Sequence, residues 1–219
     1  MGDIFYEKLF DTGQIPSKVF SLHYADQAGL SFITLGEYDE DQQYYEEELV
    51  WLTMDAEEFY WQTTITGVEI AASKFALAEG GTVIFDSGSP LIYLPKEGGT
   101  TIIKKMLSWT GFHFKFFGTY FVNCKVKKHK ALSFLINGYW IDLAPQSFIT
   151  DYEVLGGLLC TLGFQLIDMN DLYIFGDVFF RNYYTVFDAE GGTLGLAPRK
   201  DGYNGLKIKE GTVPNKSLD

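Results

Sequence analysis

Two short segments carry an aspartate in a setting where acid–base chemistry is possible. Residues 83–95 read VIFDSGSPLIYLP, in which an Asp-Ser-Gly-Ser turn starting at Asp86 interrupts two apolar runs. Residues 9–16 read LFDTGQIP and contain an Asp-Thr-Gly triplet starting at Asp11. A carboxylate in a turn, with hydroxyl groups able to donate hydrogen bonds to it, can act as a general acid or base. Either segment could therefore supply such a group, and their surroundings distinguish them.

Asp11 follows a short helical pattern over residues 4–10, and Pro16 comes shortly after it. Gly13 fits the position just past a helix, where a positive φ is common. We therefore predict that Asp11 marks the end of a helix and is not catalytic. Asp86 instead lies in a turn between two apolar strands, which aims its carboxylate out of the end of a sheet. An ordinary turn without chemistry is the alternative interpretation of that segment taken alone.

The rest of the chain indicates an all-β fold with few helices. Alternating segments separated by turns that contain Gly or Asp predict a sandwich or a barrel. They are KVFSLHY (18–24), LSFITLG (30–36), ELVWLTM (48–54), YWQTTITGVEI (60–70), ALSFLING (131–138), DLYIFGDVFF (171–180) and YTVFDAEGGTLGLAP (184–198). A second helix is predicted over residues 99–109, where apolar side chains recur at helical spacing. No internal repeat is visible, so we expect one domain with a short lead and a tail.

Composition excludes several functional classes. The 219 residues include 47% hydrophobic residues, but no apolar run approaches the roughly eighteen needed to span a membrane. A formal charge of −12 argues against a nucleic-acid partner. We interpret the basic run at 125–130 as a solvated hairpin end. We interpret the acidic run at 37–48 as an exposed loop and strand edge, with metal binding the less favoured alternative because the spacing of a calcium loop is absent. The first twenty residues show no signal-peptide pattern. The lone histidines His23, His113 and His129 do not favour a metal site.

Five ordered blocks resemble the carboxy-terminal lobe of pepsin-like aspartic endopeptidases, the cathepsin D and pepsin family. The blocks are LFDTGQIPSKVFSLHY, EFYWQTTITGVEI, VIFDSGS, LSFLINGYWIDLAPQSFI and YIFGDVFFRNYYTVFDAEGGTLGLA. The resemblance implies an all-β acid-protease lobe, with sheets of the double-psi barrel type and a few short helices. It divides the chain into an inter-lobe helix and crossover strand (1–24), a catalytic lobe (25–200) and a flexible tail (201–219).

The resemblance also implies roles for individual residues. Asp86 would be one of two catalytic aspartates that activate a water molecule to hydrolyse a peptide bond. Ser87 would reach toward the partner lobe, Gly88 would leave room for the turn, and Ser89 would donate a hydrogen bond to the carboxylate. The triplet Ile174-Phe175-Gly176 would pass beside this loop and support it. Pro90 departs from the family pattern, in which a hydroxyl residue is common at this position.

Cys124 and Cys160, 36 positions apart, match the family's second-lobe disulfide in spacing. A disulfide implies an oxidising compartment, and the family implies a lysosomal, vacuolar or secreted protein. Two buried thiols are the alternative. The two-aspartate mechanism implies no cofactor and no metal.

The amino-terminal lobe of the family carries the second catalytic aspartate and a flap over the substrate, and no block here matches either. The chain therefore corresponds to about half of such an enzyme. Three hypotheses stay open. The first is the catalytic lobe of an acid endopeptidase whose other lobe lies elsewhere. The second is a homodimer in which two copies of Asp86 meet, and the third is a binding or structural protein without catalysis. The first two act on a polypeptide substrate, and their partners would be the amino-terminal lobe or a second copy.

Overall fold

The computed structural model describes residues 4–25, 31–55, 59–125, 132–154 and 158–218. Its helices are α1 (Phe5–Asp11), α2 (Lys96–Leu107), α3 (Pro145–Phe148) and α4 (Asp177–Phe180). Its strands are β1 (Val19–His23), β2 (Phe32–Leu35), β3 (Val50–Thr53), β4 (Gln62–Ile70), β5 (Ser73–Phe85), β6 (Ile92–Pro95), β7 (His113–Phe116), β8 (Thr119–Asn123), β9 (Leu132–Ile136), β10 (Tyr139–Leu143), β11 (Ile149–Val154), β12 (Leu159–Leu162), β13 (Phe164–Ile167), β14 (Leu172–Phe175), β15 (Tyr183–Asp188), β16 (Thr193–Pro198) and β17 (Ile208–Glu210). The prediction of an all-β lobe with a few short helices is confirmed.

The strands form three sheets. The five-stranded sheet has the order β2-β1-β15-β16-β3, and the four-stranded sheet has the order β11-β12-β8-β7. The eight-stranded sheet, β13-β6-β14-β5-β4-β9-β10-β17, carries the Asp86 segment at the end of β5. Most neighbours are antiparallel, and the exceptions among the described pairs are β13 with β6 and β14 with β5. Since β1 pairs with β15, the lead segment is built into the lobe.

The local predictions of helix ends are largely correct. Helix α1 ends at Asp11, and Gly13 has a φ of 69°, as expected for a residue past a helix end. Glu97 and Gly98 in α2 are not helical, so the regular helix begins at Gly99, as predicted. It ends at Leu107, two residues earlier than the sequence pattern indicated.

One predicted strand is wrong in its second half. We predicted a single strand over residues 171–180, whereas β14 ends at Phe175 and the next residues form α4. Val178, Phe179 and Phe180 are all buried in this turn of helix. A continuous apolar run is buried on every side whether it is extended or helical, so periodicity does not separate the two.

The predicted flexible tail packs onto the lobe instead. After Lys200, β17 pairs with β10, and Ser217 forms a parallel bridge with Ala76. Leu218 is buried. The sequence pattern missed this packing because backbone hydrogen bonds need no apolar periodicity, and one leucine is enough to anchor the end.

The described residues form a large core with residues from all three sheets and a small second cluster of Tyr45, Tyr184, Val186 and Ala197. Helix α2 packs on β6 and β13. The predicted disulfide is confirmed: Cys124, just after β8, is bonded to Cys160 of β12. The acidic run at 37–48 is mostly exposed, as predicted. The basic run at 125–130 lies outside the described residues except for Lys125. Within the described ranges, no helix is both long enough and apolar enough to cross a membrane.

Candidate active site

The Asp86 loop connects two strands that both pair with β14. Strand β5 runs parallel to β14, with Phe175 opposite Phe85, and it ends one residue before Asp86. Strand β6 runs antiparallel to β14, with Phe175 opposite Ile92. Because both ends of the loop are bonded to one central strand, their separation is set by the sheet. The Asp86 backbone N–H donates to the Phe175 carbonyl at 2.9 Å and continues the parallel ladder into the loop.

Both carboxylate oxygens of Asp86 accept hydrogen bonds from the loop. The Gly88 backbone N–H donates to Oδ1 at 2.9 Å, and the Ser89 hydroxyl donates to Oδ2 at 2.7 Å. The Ser89 N–H also donates to the Asp86 carbonyl at 3.1 Å and closes the turn. These donors hold the carboxylate in one orientation. Ser87 and Gly88 are exposed at the tip, and Asp86 is partly exposed.

The triplet Ile174-Phe175-Gly176 lies beside the loop, where the resemblance implied it would be. Gly176 lies against the loop backbone. A Cβ built on Gly176 would lie 2.0 Å from the Ser89 carbonyl oxygen, so only glycine fits there. The Gly176 N–H donates to the Leu91 carbonyl at 3.2 Å, at the other end of the loop.

Aromatic rings fill the space beneath the loop. The ring of Phe85 lies 6.1 Å from that of Phe175 and 5.2 Å from that of Phe179. Phe134 of β9 completes the cluster, with its ring 5.0 Å from that of Phe175. All four side chains are buried. A close-packed aromatic base of this kind resists displacement, so the loop has a fixed support.

Two residues near the loop were not singled out by the sequence pattern. Asp177, the first residue of α4, donates its backbone N–H to the Ser89 carbonyl at 2.8 Å. Its carboxylate accepts a hydrogen bond from the Tyr24 hydroxyl at 2.9 Å. Burial and this bond to Asp177 raise the pKa of Tyr24 above its ordinary value. Asp177 was visible as the residue after the Gly176 triplet, but nothing local indicates its partner, which lies 153 positions away.

The other candidates from the sequence that the structure describes make no hydrogen bond with the Asp86 carboxylate. Asp11 is exposed at the end of α1, and Pro90 is exposed on the loop. His113 is 3.3 Å from the Thr110 hydroxyl, and His23 is 3.2 Å from an Asp201 oxygen. His129 lies outside the described residues. Across the described ranges, no three His, Cys, Asp or Glu side chains are grouped so that they could hold a metal ion.

Exposed apolar side chains lie near the loop in the fold. The Phe85 N–H donates to the carbonyl of Trp61, and the two residues before Trp61 are Phe59 and Tyr60. Phe59 is 80% exposed and Tyr60 is also exposed. Phe5 of α1 is exposed as well. Exposed aromatic residues beside a loop of this kind are typical of a contact surface.

Comparison with known proteins agrees with this geometry. The family model for eukaryotic aspartyl protease matches residues 2–199. The chain belongs to that family. It is 30% identical to pepsin A of Bos taurus over 200 residues, which are 88% of this chain and 50% of that protein. It is 33% identical to gastricsin of Mus musculus, over 85% of this chain and 47% of that protein. It is 31% identical to chymosin of Camelus dromedarius, over 88% of this chain and 48% of that protein. The chain therefore spans about half the length of these aspartyl-protease relatives.

Proposed function

We propose that the chain is the carboxy-terminal catalytic lobe of an acid endopeptidase and that Asp86 is one of its two catalytic aspartates. The observation that carries this proposal is the loop itself. The chain belongs to the aspartyl protease family, and its Asp86 carboxylate is held by two hydrogen bonds at the end of a strand. Asp86 is also partly exposed to solvent. A carboxylate oriented in this way can accept a proton from a water molecule.

The reaction needs a second carboxylate close to the first. Two carboxyl groups in contact cannot both stay ionised, so one carries a proton and the other does not. The ionised group takes a proton from water as the water oxygen attacks the peptide carbonyl carbon. The protonated group donates to the carbonyl oxygen. The tetrahedral intermediate then collapses and the C–N bond breaks. The leaving amine takes up the proton that the first carboxylate received from water, and the proton on the former carbonyl oxygen returns to the second carboxylate.

The neighbours of Asp86 have supporting roles in this proposal. Gly88 and Ser89 orient the carboxylate through the two bonds described above. Ser87, exposed at the tip, is placed to contact the second lobe. Ile174, Phe175 and Gly176 hold the loop from behind, and Asp177 holds it through the Ser89 carbonyl.

The second aspartate comes from an amino-terminal lobe. The span of about half the relatives' length and the exposed aromatic side chains near the loop support a missing partner surface. A polypeptide would bind between the two lobes. The disulfide between Cys124 and Cys160 supports an oxidising compartment, which for this proposal is secretory, lysosomal or vacuolar.

The test is peptide hydrolysis at acid pH by the assembly that contains this chain and its second lobe. Asp86→Asn should reduce the rate by several orders of magnitude, because each acid or base role contributes about a hundred- to ten-thousand-fold. Asp11→Asn is the matched control: it makes the same chemical change at an exposed helix end and should keep most of the activity. Full activity in the Asp86→Asn variant would contradict the proposal.

The isolated chain tests the homodimer alternative. We expect a monomer of this chain to be inactive, since one carboxylate cannot supply both proton transfers. Hydrolysis with a second-order dependence on chain concentration, abolished by Asp86→Asn, would assign the reaction to two copies of this lobe. Hydrolysis by a species shown to be monomeric by sedimentation would contradict the two-lobe mechanism.

A further inference from the structure

The hairpin formed by β7 and β8 carries an unusual run of exposed side chains. All nine residues from Gly111 to Thr119 are exposed, and four of them are phenylalanines. These are Phe112, Phe114, Phe116 and Phe117. Strand β7 is the last strand of the four-stranded sheet, so its outer edge has no strand partner among the described residues. A solvated hairpin of this kind normally carries polar side chains on its outer face.

The register shows which way the rings point. His113 pairs with Val122, which is fully buried, so that face of the hairpin points into the lobe. Successive side chains alternate between faces, so Phe114 and Phe116 lie on the opposite face. Phe121, the partner of Phe114, lies there as well, with its ring stacked 4.9 Å from the Phe114 ring. The outer face of the hairpin is therefore aromatic.

The turn places one further ring at the tip. Phe117 has a φ of 45° and Gly118 a φ of 85°, and Phe117 is 91% exposed. A positive φ is unfavourable for a bulky residue, and the ring of Phe117, although it lies 4.5 Å from the ring of Phe116, buries little of its own surface. The turn between β9 and β10 has nearly the same backbone, with φ of 48° and 81°, but uses Asn137 and Gly138, the residues such turns favour. Folding alone therefore does not account for phenylalanine at 117, which suggests a functional reason.

The charge of this part of the chain is opposite to that of the rest. Residues 98–125 contain four lysines and no Asp or Glu, a formal charge of +4 against −16 for the remainder of the chain. Lys115 on β7 and Lys125 just after β8 are exposed. Lys115 Nζ lies 4.9 Å from the centre of the Tyr120 ring, on the face opposite the phenylalanines. Rings and ammonium groups are thus presented together on one projecting ribbon.

We propose that this hairpin docks the protein on an anionic lipid bilayer, with the four phenylalanine rings in the interfacial region and the lysines at the headgroups. Phenylalanine rings next to lysines are the composition of segments that bind in the plane of a bilayer surface. Each basic residue near an anionic surface adds attraction that falls off within about 8–10 Å. The four residues of β7 span about 13 Å, so the ribbon can reach the surface while screening weakens the repulsion from the acidic body.

The phenylalanine rings also favour lipid over a polar partner, because they offer no hydrogen-bonding group to read a base or a peptide. The hairpin lies in a different sheet from the Asp86 loop. The membrane proposal is tested by vesicle binding and not by proteolysis, so the outcome does not depend on the proposed function.

The experiment measures binding of the purified chain to vesicles by flotation. The vesicles are phosphatidylcholine alone, or phosphatidylcholine with about a quarter phosphatidylserine, which gives an anionic surface. We expect binding to the anionic vesicles, much weaker binding to the neutral ones, and loss of binding at about 1 M salt, where screening is nearly complete.

Phe117→Asn tests the role of the aromatic ring without disturbing the fold, because asparagine favours the positive φ that this position already has. It should weaken vesicle binding at least about tenfold, while the thermal unfolding midpoint stays at or above that of the wild type. The substitution creates an Asn-Gly-Thr glycosylation sequence, so the protein is made in a host without that modification. Lys115→Gln should weaken binding about fivefold. Met169→Asn and Lys209→Gln, which make the same changes at exposed sites elsewhere, should leave binding unchanged.

Three results would overturn the proposal: no binding of the wild type to anionic vesicles, equal binding to neutral vesicles, or equal binding of wild type and Phe117→Asn. Self-association that Phe117→Asn abolishes, without any vesicle binding, would assign the hairpin to a second copy of the chain instead.

Discussion

Gly176 is the residue on which the position of the Asp86 loop depends most directly. Its own φ of −100° is allowed for any residue, so glycine is needed there for space and not for backbone freedom. The atom that a side chain would meet is the Ser89 carbonyl oxygen, which belongs to the backbone and cannot rotate away. That carbonyl already accepts a hydrogen bond from the Asp177 N–H, so displacing it breaks a second contact.

We therefore predict that Gly176→Ala lowers the free energy of unfolding by at least about 3 kcal/mol, because the backbone must move to admit a methyl group. The matched control is Gly111→Ala. Gly111 has open space around its Cβ position and a φ of 67°, so only backbone strain of about 1 kcal/mol is expected. Urea unfolding of both variants measures the difference. Equal destabilisation would mean that the contact between Gly176 and the loop is looser than the structure shows.

His23 is a buried titratable group remote in sequence from its neighbours. Its Nε2 lies 3.2 Å from Asp201, which also accepts a hydrogen bond from Arg199 at 3.0 Å. The rings of Phe32 and Tyr44 pack on His23. Burial lowers the pKa of His23 below its ordinary value, and the nearby Arg199 adds to this, while Asp201 acts in the opposite direction.

The lowered pKa of His23 predicts a loss of stability on acidification. Below about pH 6.5 the unfolded chain takes up a proton on this histidine that the folded chain resists. The stability contribution is therefore complete above pH 6.5 and falls as the pH drops toward the folded pKa. Other groups also titrate there, so the measured quantity is the difference in unfolding free energy between wild type and His23→Gln across this range. A pH-independent difference would contradict the prediction.

At the level of elements, the carboxy-terminal segment closes the edge of the eight-stranded sheet. Strand β17 covers β10, and the Ala76 backbone exchanges hydrogen bonds with Lys216 and Leu218, at 2.7 and 3.0 Å. The Leu218 side chain enters the main core. A segment without apolar periodicity thus contributes two buried leucines, Leu206 and Leu218, and a set of backbone hydrogen bonds.

Leu218→Ala should lower the free energy of unfolding by about 2 kcal/mol, since a buried leucine is replaced by a smaller side chain that leaves a cavity. Val213→Ala in the same segment is the control. Val213 is 54% exposed, so its truncation should cost less than about 0.5 kcal/mol. Denaturant melts of the two variants compare them directly. A flexible tail, as the sequence pattern suggested, would give two equal and negligible effects.

At the scale of the whole molecule, exposed aromatic residues lie near the Asp86 loop as well as on the β7–β8 hairpin. Phe59 and Tyr60 are exposed shortly before β4, and Phe5 is exposed at the start of α1. A surface of this kind is costly to hydrate, so the isolated chain should cover it by self-association.

We expect sedimentation of the isolated chain to show association that increases with concentration. Phe59→Ser should reduce this association, whereas Val213→Ser, which removes another exposed apolar side chain, should not. Adding the second lobe should compete with self-association. If Phe59→Ser has no effect and Phe117→Asn abolishes the association, the contact lies at the β7–β8 hairpin and not beside the Asp86 loop.

The sequence by itself predicted the features that local pattern encodes. Alternating side chains indicated most strands, Gly13 indicated the end of α1, and the Asp-Ser-Gly-Ser turn indicated the loop that holds Asp86. Each of these depends on residues within a few positions of one another, where side-chain period and backbone preference act directly. The disulfide between Cys124 and Cys160 was also correct, but it came from family resemblance and not from local pattern.

Only the tertiary structure decided which distant groups meet. The bond from Tyr24 to Asp177, the contact of Gly176 with Ser89 and the burial of Leu218 join segments whose local sequences do not indicate their partners. The same holds for α4, whose apolar residues would be equally buried in a strand, and for Phe117, whose positive φ is imposed by the hairpin register. Local propensity is weak compared with the burial and hydrogen bonding that a particular packing makes available, so the packing determined these features.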